Sequence, residues 1–186
     1  MKRVFDILLS LILIFTLLIP VFFVSILIIL TSNGGVLYWS KRIGLNSKEF
    51  FMPKFRTMNP NTPELATDLL IDGENYVTSF GRFLRQYSID ELPQLWSILI
   101  GDMSFVGPRP ALFNQYDLIK LRKEKKIDTI RPGLTGLAQI NGRDNLSIVE
   151  KVKFDEDYLK NISMLLDLKI IAITFFKTAF RVNIHH

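Results

Sequence analysis

The chain has 186 residues, a net charge of +5, no cysteine and two histidines, and its 48% apolar content with a mean hydropathy of +0.24 is too high for a disordered chain and unusual for a fully soluble one. The missing cysteine excludes a disulfide scaffold, a thiolate nucleophile and a Cys-ligated zinc site. His185 and His186 stand at the extreme end, where a tag remnant would stand, so chemistry built on His is disfavoured and catalysis would rest on carboxylates, Arg, Lys and a bound metal.

Residues 7–30 are apolar apart from Ser10, Thr16, Pro20 and Ser25. One helix over them would be about 36 Å long, enough for a hydrocarbon core of roughly 30 Å. A signal peptide is disfavoured, because the run is long and no small-x-small cleavage site follows it. Charge disfavours a spanning helix. Lys2 and Arg3 precede the run, and Lys41, Arg42, Lys48, Lys54 and Arg56 follow it, so both flanks ask for the cytoplasmic side. Pro20 removes a backbone donor and clashes with the preceding turn. The arms Val4–Ile19 and Val21–Leu30 would be about 24 and 15 Å long, each too short to cross. Residues 1–32 are therefore expected to form a re-entrant helix-break-helix, with a spanning helix as the alternative, and 33–186 a domain on the cytoplasmic face.

Further along, Val36–Trp39 and Glu49–Phe55 are short strand candidates around a turn at Gly44–Ser47. Asn59–Asp72, with Pro60 and Pro63, reads as a loop. Phe80–Gln86 and Pro93–Ile100 read as short helices, Gly101–Pro110 as a turn-rich segment and Ala111–Lys126 as an amphipathic helix with a basic end. Arg131–Arg143 reads as a Gly-rich loop and Ser147–Lys160 as a polar-faced helix. Met164–Phe180 carries Asp167, Lys169 and Lys177 among apolar residues at helical spacing, which suits a core or interfacial amphipathic helix over 164–181 rather than a span. The expected fold is α+β, mostly helical. There is no G-x-G-x-x-G and no P-loop, so a dinucleotide-binding or P-loop domain is disfavoured. Two interfacial elements and a basic surface suit an anionic leaflet, and no nucleic-acid partner is expected.

Ser88-Ile89-Asp90-Glu91-Leu92-Pro93 is the densest chemical candidate. Ser88 and Glu91 fit a capping box, but Pro93 would then fall inside the helix and cost one of its bonds. If Pro93 is the first helical residue, Asp90 and Glu91 lie in the turn before it, where positive potential favours their ionised forms. Arg109, between Pro108 and Pro110, is stiffly held and its fork suits phosphate oxygens, although a plain turn would look the same. Arg131 and Arg143 flank Gly-rich backbone that can cradle phosphates or merely connect. Lys54-Phe55-Arg56 could equally be a charged strand edge. Asp155-Glu156-Asp157 has the form of a metal-binding D-x-D, yet nothing strand-like precedes it, and a solvated helix face explains it as well.

Together these segments resemble the monotopic phosphoglycosyl transferases, the bacterial sugar transferase family. The resemblance runs from Lys2 to about Phe180. It rests on Lys2-Arg3-x-x-Asp6, Arg42-Ile43-Gly44, Lys54-Phe55-Arg56-Thr57-Met58 and Asp90-Glu91-Leu92-Pro93-Gln94-Leu95. Two longer strings complete it, from Gly101 to Pro110 and from Arg131 to Arg143. The resemblance implies transfer of a phospho-sugar from a UDP-sugar to a polyprenol phosphate (undecaprenyl phosphate in bacteria) with release of UMP. It also implies Asp90 as nucleophile, Glu91 as Mg²⁺ ligand, and Lys54 and Arg109 in the active cleft with Asp155 and Tyr158 nearby. The implied place is the cytoplasmic face of the bacterial inner membrane, with anionic lipid around the catalytic domain. The family breaks its membrane helix at a Ser-Pro pair, whereas this chain has Ile19-Pro20, which puts more weight on Pro20. Larger members carry extra N-terminal membrane helices, for which 186 residues leave no room.

The chemistry is consistent with that assignment. A carboxylate attacking a diphosphate meets anion–anion repulsion, so metal and Arg must neutralise charge first. The acyl phosphate formed would split the transfer into two steps. Two other functions compete. A metal-dependent glycosyltransferase using Asp155 and Asp157 would release UDP rather than UMP. A membrane-anchored scaffold would leave Asp90 dispensable.

Overall fold

In the computed structural model, which describes residues 1–32, 34–60, 62, 76–142 and 145–180, the apolar N-terminal run is one helix, α1 (Lys2–Thr31), with Pro20 inside it. The run does not divide into two helical elements at Pro20. Proline takes only one bond from a long ladder, and packing on both sides of it holds the helical course. Leu9, Leu13, Ile14 and Leu17 lie on the main core, while Val21, Val24 and Ile28 lie on a second cluster around Phe55 and Leu84. The opposite stripe, including Leu8, Ile12, Phe15, Ile19 and Phe22, is exposed. Both stripes follow helical spacing, so the helix is apolar all round with one face bare, as a helix shared between protein and lipid would be. Its length and composition are enough to cross a membrane.

Polar groups fasten the N-terminal end of α1. Arg3 donates from Nη1 and Nη2 to the carbonyls of Ile98 and Leu99 at 2.6 and 2.7 Å. Asp6 accepts from Ser104 Oγ and from the Phe105 backbone N–H, each at 3.1 Å. Lys2 bonds Asp167 Oδ2 at 2.6 Å and Tyr158 Oη at 3.1 Å.

After α1 the chain forms an antiparallel hairpin, β1 (Leu37–Ile43) and β2 (Glu49–Phe55), paired from Leu37↔Phe55 to Ile43↔Glu49. The connection is the expected turn, and Asn46 within it takes φ 54°, a left-handed conformation that Asn tolerates. Helix α2 (Ser79–Gln86) starts at Thr78, whose side chain accepts from the Gly81 N–H. Helix α3 (Gln94–Ile100) ends at Gly101, with φ 102°. The Ile98 and Leu99 carbonyls of its last turn are those held by Arg3.

Beyond α3 the structure departs from the sequence reading. The turn-rich segment contains β3 (Ser104–Val106). The helix expected from Ala111 starts with two buried residues, β4 (Ala111–Leu112), which pair with Ile43 and Arg42 on the free edge of β1. The helix proper is α4 (Tyr116–Glu124). The expected loop from Arg131 holds β5 (Gly133–Thr135), parallel to β3, and a short helix α5 (Leu137–Ile140). Helices α6 (Ile148–Lys160) and α7 (Met164–Ala179) follow as expected. Ile170 of α7 is buried, whereas Leu165, Leu168, Phe175 and Phe176 are bare. Most of the 59–72 loop, Arg143, residue 181 and the terminal histidines lie outside the described residues.

Candidate active site

Ser88 takes a left-handed φ of 54° and its side chain caps nothing, so the capping box does not form. Asp90 and Glu91 instead occupy a single tight turn, Ile89–Glu91, which leads through Leu92 and Pro93 into α3. The capping box of this chain lies elsewhere, between Ser147 and Glu150 at the start of α6.

The turn buries both carboxylates against β2, with Asp90 7% and Glu91 9% exposed. Their roles diverge there. Oε1 of Glu91 accepts from Lys54 Nζ and from Arg109 Nη2, each at 2.9 Å. Asp90 Oδ2 stands 4.0 Å from the same Lys54 ammonium, and Asp90 Oδ1 is buried with no hydrogen-bond partner. Glu91 is pinned between two cations while Asp90 keeps an oxygen uncommitted. Burial pushes the Asp90 carboxyl above its ordinary range, opposed chiefly by Lys54 and reinforced by the Glu91 charge. Burial likewise pulls the Lys54 ammonium below its ordinary value, against Glu91 and Asp90.

Two cations that the sequence reading did not assign to the site act on this cluster. The charge of Arg85, on α2, favours ionised Asp90, and Arg85 Nε donates to Thr57 Oγ1 at 2.9 Å. Arg42, on β1, acts on Lys54 and donates to Ser40 Oγ and the Pro110 carbonyl. Strand alternation could have found Arg42: pairing Tyr38 with Lys54 and Arg42 with Phe50 puts Arg42 and Lys54 on one face. Four cationic side chains around two carboxylates leave positive charge in surplus, which suits a polyanionic substrate.

The Arg109 loop is built by close backbone packing. Gly107 N–H donates to the Thr135 carbonyl at 2.9 Å and Gly133 N–H to the Pro108 carbonyl at 2.8 Å. A Cβ on Gly133 would collide with the Gly107 backbone, so both positions need glycine for approach rather than for φ.

The other expected site residues lie around the cluster rather than in it. Asp155, 1% exposed, is spent on Arg122 at 2.6 and 2.9 Å. Tyr158 Oη lies 2.6 Å from Asp167 Oδ1 and 3.2 Å from the Val106 carbonyl, in the network that holds Lys2. Arg131 Nε donates to the Gly101 carbonyl at 2.7 Å, at the far end of α3 from Asp90. Arg143 lies outside the described residues. Asp157 is two residues from Asp155 on a helix and does not share its face, so the D-x-D pair is not arranged to chelate. Among the described residues no three acidic or histidine groups cluster as a metal cage.

Against the segment that follows Glu91 lies an apolar cavity of about 530 Å³. Leu92, Pro93 and Trp96 wall one side, Trp39 and Pro53 another, and α1 supplies Leu17 and Val21, which bracket Pro20.

Comparison with known proteins places the chain in a family. The chain is 38% identical over 174 residues to the uncharacterized sugar transferase EpsL of Bacillus subtilis, covering 94% of this chain and 85% of that protein. It is 38% identical over 189 residues to the exopolysaccharide production protein ExoY of Sinorhizobium fredii, covering 93% and 83%. It is 34% identical over 200 residues to the undecaprenyl-phosphate galactose phosphotransferase of Salmonella typhimurium, covering 96% of this chain but 40% of that longer protein. The bacterial sugar transferase family model matches residues 1–181. The chain belongs to the bacterial sugar transferase family.

Proposed function

We propose that the protein is a membrane-bound phosphoglycosyl transferase that moves a phospho-sugar from a UDP-sugar to polyprenol phosphate through a covalent intermediate on Asp90. The observation that carries this reading is the unpartnered, buried Oδ1 of Asp90 inside a cationic cluster. That cluster abuts an apolar cavity made partly by the membrane-competent helix. The name of the Salmonella relative, an undecaprenyl-phosphate galactose phosphotransferase, supports the acceptor class and the transfer of a sugar phosphate.

In the first step a carboxylate oxygen of Asp90 attacks the sugar-bearing phosphorus of the donor. The bond to the bridging oxygen breaks, and that oxygen leaves on UMP. In the second step a phosphate oxygen of the polyprenol phosphate attacks the same phosphorus, giving polyprenyl diphosphate-sugar and restoring the Asp90 carboxylate. No net proton or electron is required. Lys54 and Arg109 take up charge on the transferred phosphoryl group, and the Arg109 fork fixes its orientation. Mg²⁺ binds hard oxygens, commonly one or two carboxylates completed by substrate phosphates and water, and Glu91 beside the uncommitted Asp90 oxygen fits that requirement. When bound, the ion would neutralise diphosphate charge and so lower the repulsion that Asp90 meets.

The topology belongs to the same proposal. Lys2, Arg3 and Asp6 at one end of α1 and Ile28 at the other rest on one folded body. A straight span of about 45 Å would carry one of those ends across the bilayer, away from the body that holds it. A helix that stays continuous but bends at Pro20, entering and leaving by the cytoplasmic face, would keep both ends attached. It also seats the cavity at the membrane surface, with the bare face of α7 in the interface among anionic lipids.

The test is UMP release from a panel of UDP-sugars by the full chain in nanodiscs, with and without polyprenol phosphate. Release of UDP would favour ordinary glycosyl transfer, and release of no nucleotide would leave a scaffold.

A further inference from the structure

Arg122 was singled out by no motif, yet its guanidinium joins three segments. It lies on α4 and is 9% exposed. Nε and Nη2 donate to Asp155 Oδ2 on α6 at 2.9 and 2.6 Å, and Nη1 donates to the backbone carbonyl of Arg109 at 2.7 Å. The side chain of that same Arg109 reaches Glu91 at 2.9 Å. Backbone and side chain of one residue are therefore held by two different partners, Arg122 and Glu91. Pro108 and Pro110 stiffen their own φ angles, Pro110 holds Arg109 to an extended ψ, and the bond from Arg122 anchors the Arg109 carbonyl in the position that this backbone gives it.

A plain structural reading would make Arg122–Asp155 a strut between α4 and α6. Leu118 of α4 and Val152 of α6 already share one apolar cluster, with Ile127 from the turn that follows α4. A buried ion pair is weak evidence for stability, because desolvation offsets most of its attraction. The third donor, turned toward the Arg109 carbonyl, is what a strut does not need.

We propose that Arg122, oriented by Asp155, is a positioning residue that fixes the Arg109 backbone so that the Arg109 fork meets the diphosphate of the donor. This rests on the phosphoglycosyl transfer reading and says how its phosphate site is built. Asp155 then belongs to the site through Arg122 and touches no substrate.

The test is a double-mutant cycle on UDP binding, a probe that carries the diphosphate and no sugar. Calorimetry would use the full chain in nanodiscs with Mg²⁺. Arg122→Lys keeps the charge opposite Asp155 but loses the fork, so it should melt near wild type and bind UDP about three- to tenfold more weakly, the worth of one hydrogen bond. In an Arg109→Ala background the same substitution should change affinity less than twofold, because the clamp then has nothing to position. Equal losses in both backgrounds, or unchanged affinity in Arg122→Lys, would overturn the proposal while leaving the donor reading intact. If wild type fails to bind UDP, the donor reading itself falls. Should Arg122→Lys not fold, Asp155→Asn carries the same cycle with the same expected coupling.

Discussion

Burial raises the Asp90 carboxyl above the ordinary carboxylate range, and Lys54 is the largest force holding it down. In the proposed mechanism Asp90 attacks only when ionised, so the rate of UMP release should fall as pH drops through that raised value. Lys54→Met removes the opposing charge and should move this acid limb to higher pH, which a pH–rate profile would read directly. A limb at an unchanged pH would mean that Lys54 does not act on the nucleophile. For stability the sign is also fixed. A carboxylate with a raised folded pKa favours folding below its unfolded pKa and loses that contribution as pH rises through the folded value. Asp90→Asn should therefore fold at least as well as wild type at neutral pH while releasing no UMP. Arg109→Lys replaces a two-pronged contact by a point charge and should lose about 1.5–3 kcal/mol of transition-state stabilisation, measured as kcat/KM. Asp90, Glu91 and Arg109 stood out beside Pro93, Pro108 and Pro110, whereas Lys54 entered through the family resemblance alone. For Asp155 and Tyr158 the resemblance implied only a place nearby, since sequence cannot tell a carboxylate aimed at substrate from one aimed at Arg122, or a reactive hydroxyl from one joined to Asp167.

Among the elements, α2, α3, α6, α7 and the β1–β2 hairpin follow local periodicity and capping, and each was readable. The short strands were not. β3 and β5 have three residues each and exist only through parallel pairing across the α4 segment, a distance no local pattern spans. β4 was hidden for the same reason: Ala111 and Leu112 suit a helix until the edge of β1 claims them. At the start of α6 the Ser147 contacts hold the Glu150 carboxyl below its ordinary value of 4.5. That contribution is present above the unfolded pKa and is lost as pH falls through the folded one. The melting difference between wild type and Glu150→Ala should accordingly shrink on acidification, and a difference unchanged at low pH would remove the capping box as its cause. For α1 the topology is testable because the chain has no native cysteine. A cysteine added ahead of Met1 and another at exposed Lys48 should both resist an impermeant thiol reagent in intact cells, whereas labelling of one alone would show a span.

At the scale of the whole molecule, the proposed mechanism asks a soluble nucleotide sugar and a membrane lipid to use one carboxylate in turn. The cationic cluster around Asp90 and the apolar cavity beside Leu92 and Pro93 divide that work. The proposed covalent step would separate the two half-reactions in time, so a lesion confined to the cavity should stop only the second. Ser25 lines the cavity from α1, and its hydroxyl is satisfied by the Val21 carbonyl of its own helix. Ser25→Phe should fill space there without touching the cluster. The variant should still release UMP in a single burst from a UDP-sugar and gain the mass of a phospho-sugar, which peptide mapping should place on Asp90. It should not turn over when polyprenol phosphate is added, whereas wild type discharges the adduct. A lost burst would mean that the cavity serves the donor. Normal turnover would mean that the lipid approaches Asp90 by another face.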